Sequence, residues 1–235
     1  MNRFGACPLA LLFVCVGCGA RKTVETSATP TSSPVAAQAN LPQVPPDLKT
    51  DAFAYYGLGS VKPKNYDLTI SSPTPWTSPL ASTIRLIKVQ PGKAIYEEKD
   101  SGPATDNATQ ELSLQTDGFY VDSMSPQVLK TPHLMQLPSK LTPGTTWTVS
   151  QSFAQKGASI QETLHYKVVG AQSVSTPGGK FDALYISGDG AGSISGRNAQ
   201  FTQNSWYVKD FGLVKQVVQV VGKGVDTKIV QVFRN

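Results

Sequence analysis

Charge, histidine and cysteine are all scarce in this chain. Only 16% of its 235 residues are Asp, Glu, Lys or Arg, against about a quarter in an average globular protein. Two histidines and three cysteines cannot furnish several metal sites or a disulfide framework. The formal charge is +5, but the basic residues are spaced singly, with no cluster or arginine-rich run. That argues against nucleic acid as a partner. No apolar run reaches the ~20 residues needed to span a bilayer as a helix. Proline is common early and rare late: 15 of the 17 lie between Pro30 and Pro143, and only Pro177 follows. Long central strands tolerate little proline, so the most regular sheet is expected in the C-terminal part. No repeat of 20–50 residues is visible.

The three cysteines all fall at the start, at Cys7, Cys15 and Cys18. Residues 4–16 are an apolar run after the single charge Arg3, the layout of an export signal. Val16-Gly17-Cys18 resembles the processing box of bacterial lipoproteins, with Cys15 where Leu is usual. The resemblance implies cleavage after residue 17 and acylation of Cys18. The lipid bilayer is then a partner through acylated Cys18, and the anchoring energy is ~0.8 kcal/mol per buried CH₂. Processing would also remove Cys7 and Cys15, leaving no free thiol. Gly19, in place of the Asp that holds many such proteins in the inner membrane, favours the outer membrane of the cell envelope. Residues 18–48 carry five prolines among Ser, Thr, Ala and Gln, a composition unable to offset its own ordering entropy by burial. They read as a tether, and residues 49–235 as one β-rich domain.

Within that domain, apolar residues alternate with polar ones. Ile160, Leu164, Tyr166 and Val168 share one face of a strand; Trp147, Val149 and Phe153 share another. Pro91-Gly92, Asp117-Gly118, Gly178-Gly179, Asp210-Phe211-Gly212 and Gly222-Lys223-Gly224 mark turns between such runs. The expected fold is all-β: about ten mainly antiparallel strands in a sandwich or a strongly curved, partly closed barrel. Residues 47–58 suggest one short helix, with Asp47 as its cap.

Three motifs carry a family resemblance. Pro143-Gly144-Thr145-Thr146-Trp147 comes first, then Thr176-Pro177-Gly178-Gly179-Lys180-Phe181, then Trp206-Tyr207 followed by Gly212-Leu213-Val214-Lys215. In this order and spacing, over 137–233, they resemble the TapB-like family of exported bacterial β-domains, many of them lipoproteins. The resemblance implies an all-β envelope domain and brings no catalytic residues. Trp147, Pro177, Phe181, Trp206, Tyr207 and Gly212 also read directly as turn and packing residues.

Catalytic chemistry is hard to find. His133 and His165 lie far apart with no cysteine partner, so no metal site or metal cofactor is expected. The glycine-rich stretch 188–196 matches neither a nucleophile elbow nor a dinucleotide fingerprint. It reads as a hairpin loop, and Asp189, Ser193 and Arg197 make it a candidate binding loop. Glu97 and Glu98 are adjacent, so on a strand they face opposite ways and cannot flank one glycosidic bond. The sequence therefore points to a non-enzymatic, membrane-anchored binding or assembly module. Its partner would be a protein or an apolar small molecule, with no cofactor. An envelope hydrolase or carbohydrate-active enzyme is the alternative.

Overall fold

The computed structural model describes residues 43–234, apart from 61, 72, 73, 104, 106, 156 and 157. The expected signal at 1–17, Cys18 and the expected tether as far as residue 42 lie outside the described residues. Among the described residues, a 3-10 turn at Pro46–Leu48 and α1 (Asp51–Tyr56) lead into thirteen strands. They are β1 (Lys64–Ile70), β2 (Trp76–Gln90), β3 (Lys93–Ser101), β4 (Thr109–Gln115), β5 (Gly118–Ser125), β6 (Val128–Leu129) and β7 (Leu134–Pro138), then β8 (Thr146–Gln155), β9 (Ala158–Thr176), β10 (Gly179–Ile194), β11 (Arg197–Val208), β12 (Gly212–Gly222) and β13 (Val225–Arg234).

All thirteen belong to one antiparallel sheet, in the order β6-β8-β9-β10-β11-β12-β13-β1-β2-β3-β4-β5-β7. Its two ends come together where β7 approaches β8 and β6 follows β5, so the sheet curls into a nearly closed barrel. A sheet of this size must curl or split, and closure removes most of the exposed edge. β12 and β13 are flanked on both sides, so the apolar runs 217–221 and 229–233 are central strands with no edge to offer.

Sequence and structure differ in instructive ways at the N-terminus. Asp47 does not cap the helix: it lies in the 3-10 turn, and the N-cap is Thr50. Gly57, at φ +75°, closes α1, and a Cβ there would stand 2.4 Å from the Phe211 carbonyl oxygen. The helix end is therefore pressed against the β11–β12 turn, which only glycine permits. β2 begins earlier than its prolines suggest, because Pro79 lies where β2 pairs with β1 alone; pairing with β3 starts at Ala81. A missing N–H costs little on a strand with one partner.

Inward-facing side chains form two apolar clusters. One gathers Leu68, Ile70, Ile160, Phe201 and Val220, all at most 1% exposed, near the 195–196 and 223–224 turns. The other surrounds α1 and includes Leu48, Ala52, Leu112, Phe119 and Val168, each fully buried. Burying a leucine such as Leu48 contributes ~2 kcal/mol, so the segment before β1 is part of the core, seated in one end of the barrel. A third, smaller cluster lies on the other face of β9–β12, where Val174, Ala183 and Val214 pack with Phe181, Phe211 and Phe233. The face changes because the pairing skips Val169 on β9 and Val214 on β12. A bulge moves every later side chain to the opposite face.

Candidate functional site

The glycine-rich stretch is not a loop. Residues 188–194 continue β10, and only Ser195 and Gly196 turn the chain. Asp189 and Ser193 sit within β10 and Arg197 opens β11, paired with Ile194. The three do not converge on a loop, and the candidate binding loop is corrected to a strand wall. The glycines have a packing cause. Gly188, Gly190 and Gly192 recur every second residue, so they share one face. A Cβ at Gly190 would lie 1.9 Å from the Thr163 carbonyl oxygen, and one at Gly188 only 2.5 Å from the Tyr166 ring. Bare backbone on this face is what lets β9 and β10 approach so closely.

The packing residues behave in two groups. Phe181 and Trp206 meet in the outer cluster. There Trp206 stacks on Tyr185 at 5.0 Å, with the Lys215 ammonium 5.1 Å from its ring. Pro177 opens the neighbouring turn, and a Cβ on the next residue, Gly178, would strike the Phe233 ring. Gly212, at φ +105°, lies under the end of α1, where a Cβ would come within 2.7 Å of the Tyr56 carbonyl oxygen. Tyr207 and Trp147 belong instead to the inner cluster around α1, Trp147 stacked on Tyr166 at 5.1 Å. The two histidines stay apart: the His133 Nδ1 lies 2.7 Å from an Asp122 oxygen, and the His165 Nδ1 lies 3.0 Å from the Thr148 hydroxyl. Among the described residues no three His, Cys, Asp or Glu side chains group to hold a metal ion.

The site with chemistry in it was hidden in the barrel. β3 turns Glu97 outward, where it pairs with Arg85 at 2.8 Å, and turns Glu98 and Asp100 inward. They face a partly enclosed polar cavity of about 60 Å³ that is also lined by Tyr56, Lys64, Tyr66 and Tyr207. Such a volume holds a few water molecules. The Tyr56 hydroxyl, from α1, donates to Glu98 Oε2 at 2.9 Å, and the Ser82 hydroxyl donates to Oε1 at 2.7 Å. The Lys64 ammonium reaches the Tyr56 carbonyl oxygen at 3.4 Å.

Burial sets the electrostatics here. It raises the Glu98 carboxyl, against hydrogen bonds from Ser82 and Tyr56 and the charge of Lys64. Burial and then the neighbouring Glu98 push Asp100 well above the ordinary aspartate range. Lys64 is lowered by its own burial, with Glu98 opposing. Together these directions favour one carboxylate, one ammonium and one neutral carboxylic acid, because burial and the neighbouring Glu98 both oppose ionisation of Asp100. Chemically the arrangement can hold or release one proton.

A second buried acid lies elsewhere on the wall. Glu162, 3% exposed, shares the inward face of β9 with Ile160 and Leu164. The Gln151 amide donates to its Oε1, while Oε2 is buried with no hydrogen-bond partner among the described residues. Burial pushes its carboxyl up to about 8, against that one hydrogen bond.

Residues 106–217 match the family model described as DUF3108-like. The match overlaps the TapB-like resemblance and begins earlier, and it carries the DUF3108-like description alone. No curated protein matches the sequence. Two solved structures share the fold. One is an exported protein of Bacteroides fragilis with a YmcC-like fold: 13% identity, TM-score 0.51, covering 74% of this chain and 93% of that one. The other is a lipoprotein of Parabacteroides distasonis: 12% identity, TM-score 0.52, covering 79% and 98%. At these identities the likeness concerns the fold.

Sequence reasoning missed Asp100, Lys64 and Glu162. Two signals were present. Glu98 and Asp100 are two residues apart on a strand, hence on one face. Glu162 falls midway between Ile160 and Leu164 in an alternating run.

Proposed function

We propose that the chain is an exported protein of the bacterial cell envelope, acylated at Cys18 and held at the outer membrane. Its barrel would act as a non-catalytic binding or assembly module for a protein partner. The observation that carries this reading is the lack of a large enclosed apolar space among the described residues. Two wider hollows, of about 300 Å³ beside Arg85 and Glu97 and about 430 Å³ beside Ser150 and Ser193, open to the outside and are lined mainly by polar side chains. The apolar clusters occupy both ends of the barrel, and the cavity beside them is polar and about 60 Å³. Sites for drug-sized apolar ligands run to ~300–1,000 Å³, so recognition is assigned to the outer surface. The fold shared with an exported protein and a lipoprotein, together with the resemblance of residues 1–18 to a lipoprotein export signal, supports the location.

A hydrolase is the second reading, and its support is the Glu98–Asp100 pair. The pair sits on one strand in a space for a few waters, which leaves no room for a sugar ring between the two carboxyls.

Native mass spectrometry of the full-length chain and Cys18→Ala, extracted from their own membranes, tests the reading. The wild type is expected to carry acyl mass and the variant none, with no other small molecule on either. An extra mass of several hundred daltons on the variant would replace the protein partner with a ligand. Photo-crosslinkers on the outer face in cells should yield one discrete product. Equal labelling of many abundant proteins would sink the assembly role.

A further inference from the structure

We infer that the segment 43–58 is a plug, and that its seating in the barrel depends on the proton kept by the Glu98–Asp100 pair. The plug is held by its buried apolar side chains and by a handful of hydrogen bonds, including one from the Asp51 N–H to the Ser139 carbonyl oxygen at 3.0 Å, and one of its contacts is the acid site itself. Leu48 and Ala52 are buried in the barrel end. The Asp51 carboxylate accepts from the Leu141 N–H at 2.9 Å, and the Ala54 carbonyl accepts from the Asp210 N–H at 2.8 Å. At its last turn the Tyr56 ring packs on Phe119 with centroids 4.2 Å apart, and its hydroxyl donates to Glu98. Tyr56 thus forms a wall of the cavity.

The charged and titratable groups facing the pair come from each element packed around it: Tyr56 on α1, Lys64 and Tyr66 on β1, and Tyr207 on β11. Lys64 is the single cation among them and offsets one carboxylate. While Asp100 is protonated the site is balanced. Loss of that proton leaves a second negative charge with no cation and with hydrogen bonding confined to Ser82. A charge in this position must gain water. The wall best able to move and admit it is the plug, because the other walls are strands held in the sheet, of which only β7, which brings Gln136, is paired on one side alone. Alkaline pH therefore loosens 43–58 before the barrel unfolds. The plug is also the part of the domain that leads back to the membrane tether, so its release would lengthen the tether from the barrel end.

Hydrogen exchange on the full-length chain in detergent tests this. Protection at the amides of residues 51–57 is corrected for intrinsic exchange and compared with that of β11 and β12. From mildly acidic to alkaline pH, wild-type plug protection should fall by roughly tenfold or more. Strand protection should change less. Asp100→Asn, which keeps the shape and removes the charge, should flatten the plug profile. Glu98→Gln should do the same if Asp100→Asn does not fold, because it removes the other half of the like-charge pair. A wild-type plug whose protection tracks the strands at every pH overturns the inference. So does a folded variant that keeps the wild-type pH dependence.

Discussion

Glu98 with Asp100 on β3, and Glu162 on β9, are inward-facing carboxylates in walls of the same barrel, yet their surroundings have little in common. The β3 pair has a lysine, two hydroxyl donors and a small cavity around it. Glu162 has one amide and a bare glycine strand beside it, with Gly192 directly across the pairing. The first site can keep a charge because part of it is offset. The second keeps its acid neutral over much of the pH range, since burial is opposed by a single hydrogen bond. A buried acid is thus no uniform feature, and its company decides whether it stores a charge or a proton.

The most damaging test of the β9 side is Gly190→Val. The added carbon would stand 1.9 Å from a backbone oxygen that cannot swing away. We expect a loss of about 4 kcal/mol or more, or no soluble protein. Near-wild-type stability in urea would mean that the glycine floor is dispensable.

On the β3 side, Lys64→Met removes the lone cation and leaves the acid pair without balance. Breaking a buried pair costs ~3–5 kcal/mol; partial access of Lys64 to solvent brings the expectation to about 2 kcal/mol. Adding Glu98→Gln should restore most of it. A double-mutant cycle measures the coupling, and a coupling near zero would show that the lysine acts only through packing.

Glu162→Gln sharpens the contrast by pH. Its folded carboxyl sits at about 8 against 4.5 for the free group, so the folded state binds the extra proton between those values. Its penalty is absent at low pH, grows as pH rises through that window and is complete above about 8. The variant should match the wild type near pH 4 and exceed it by roughly 1–3 kcal/mol near pH 9. Asp100 carries the same sign, so the wild type should lose stability steadily from mildly acidic to alkaline conditions. Urea midpoints at both pH values check both statements, and an unchanged midpoint difference across pH would refute them.

Much of the barrel was legible because alternation is a local property. Ile160, Leu164 and Val168 announce a buried face, and Asp117-Gly118 announces a hairpin, whatever the rest of the chain does. Glu162 was passed over because a charged residue breaks the apolar pattern, although its position fits the period. The stretch 188–196 was mistaken for a loop on composition, when glycine at every second residue signals a crowded strand face. Three things had no local signal. The skips at Val169 and Val214 depend on how neighbouring strands pair. Lys64 shares the face of Tyr66, Leu68 and Ile70 by alternation, but the acids it meets lie on β3, two strands away in the sheet. The seating of α1 depends on the Phe211–Gly212 turn, more than 150 residues later by the numbering of the chain.

The smallest expected effect comes from the outward side of β3, next door to the acid pair. Arg85 and Glu97 meet at 2.8 Å, and Lys99 adds a second contact to the same oxygen at 3.2 Å. The Arg85 side chain is 66% exposed. In high dielectric the attraction is weak and is opposed by the entropy of holding two long side chains, so such pairs contribute ~0–1 kcal/mol. Arg85→Ala should therefore shift stability by less than about 0.5 kcal/mol, and less still in high salt, where exposed pairs are screened. Lys64→Met changes a cation on the inward side, where screening by bulk ions is limited, and its effect should persist in the same salt. The ratio of the two losses, followed from low to high ionic strength, measures how far the barrel wall separates an ordinary surface from a charged interior. If both losses fade together as salt rises, the cavity is open to the solvent and the distinction between the two faces of β3 collapses.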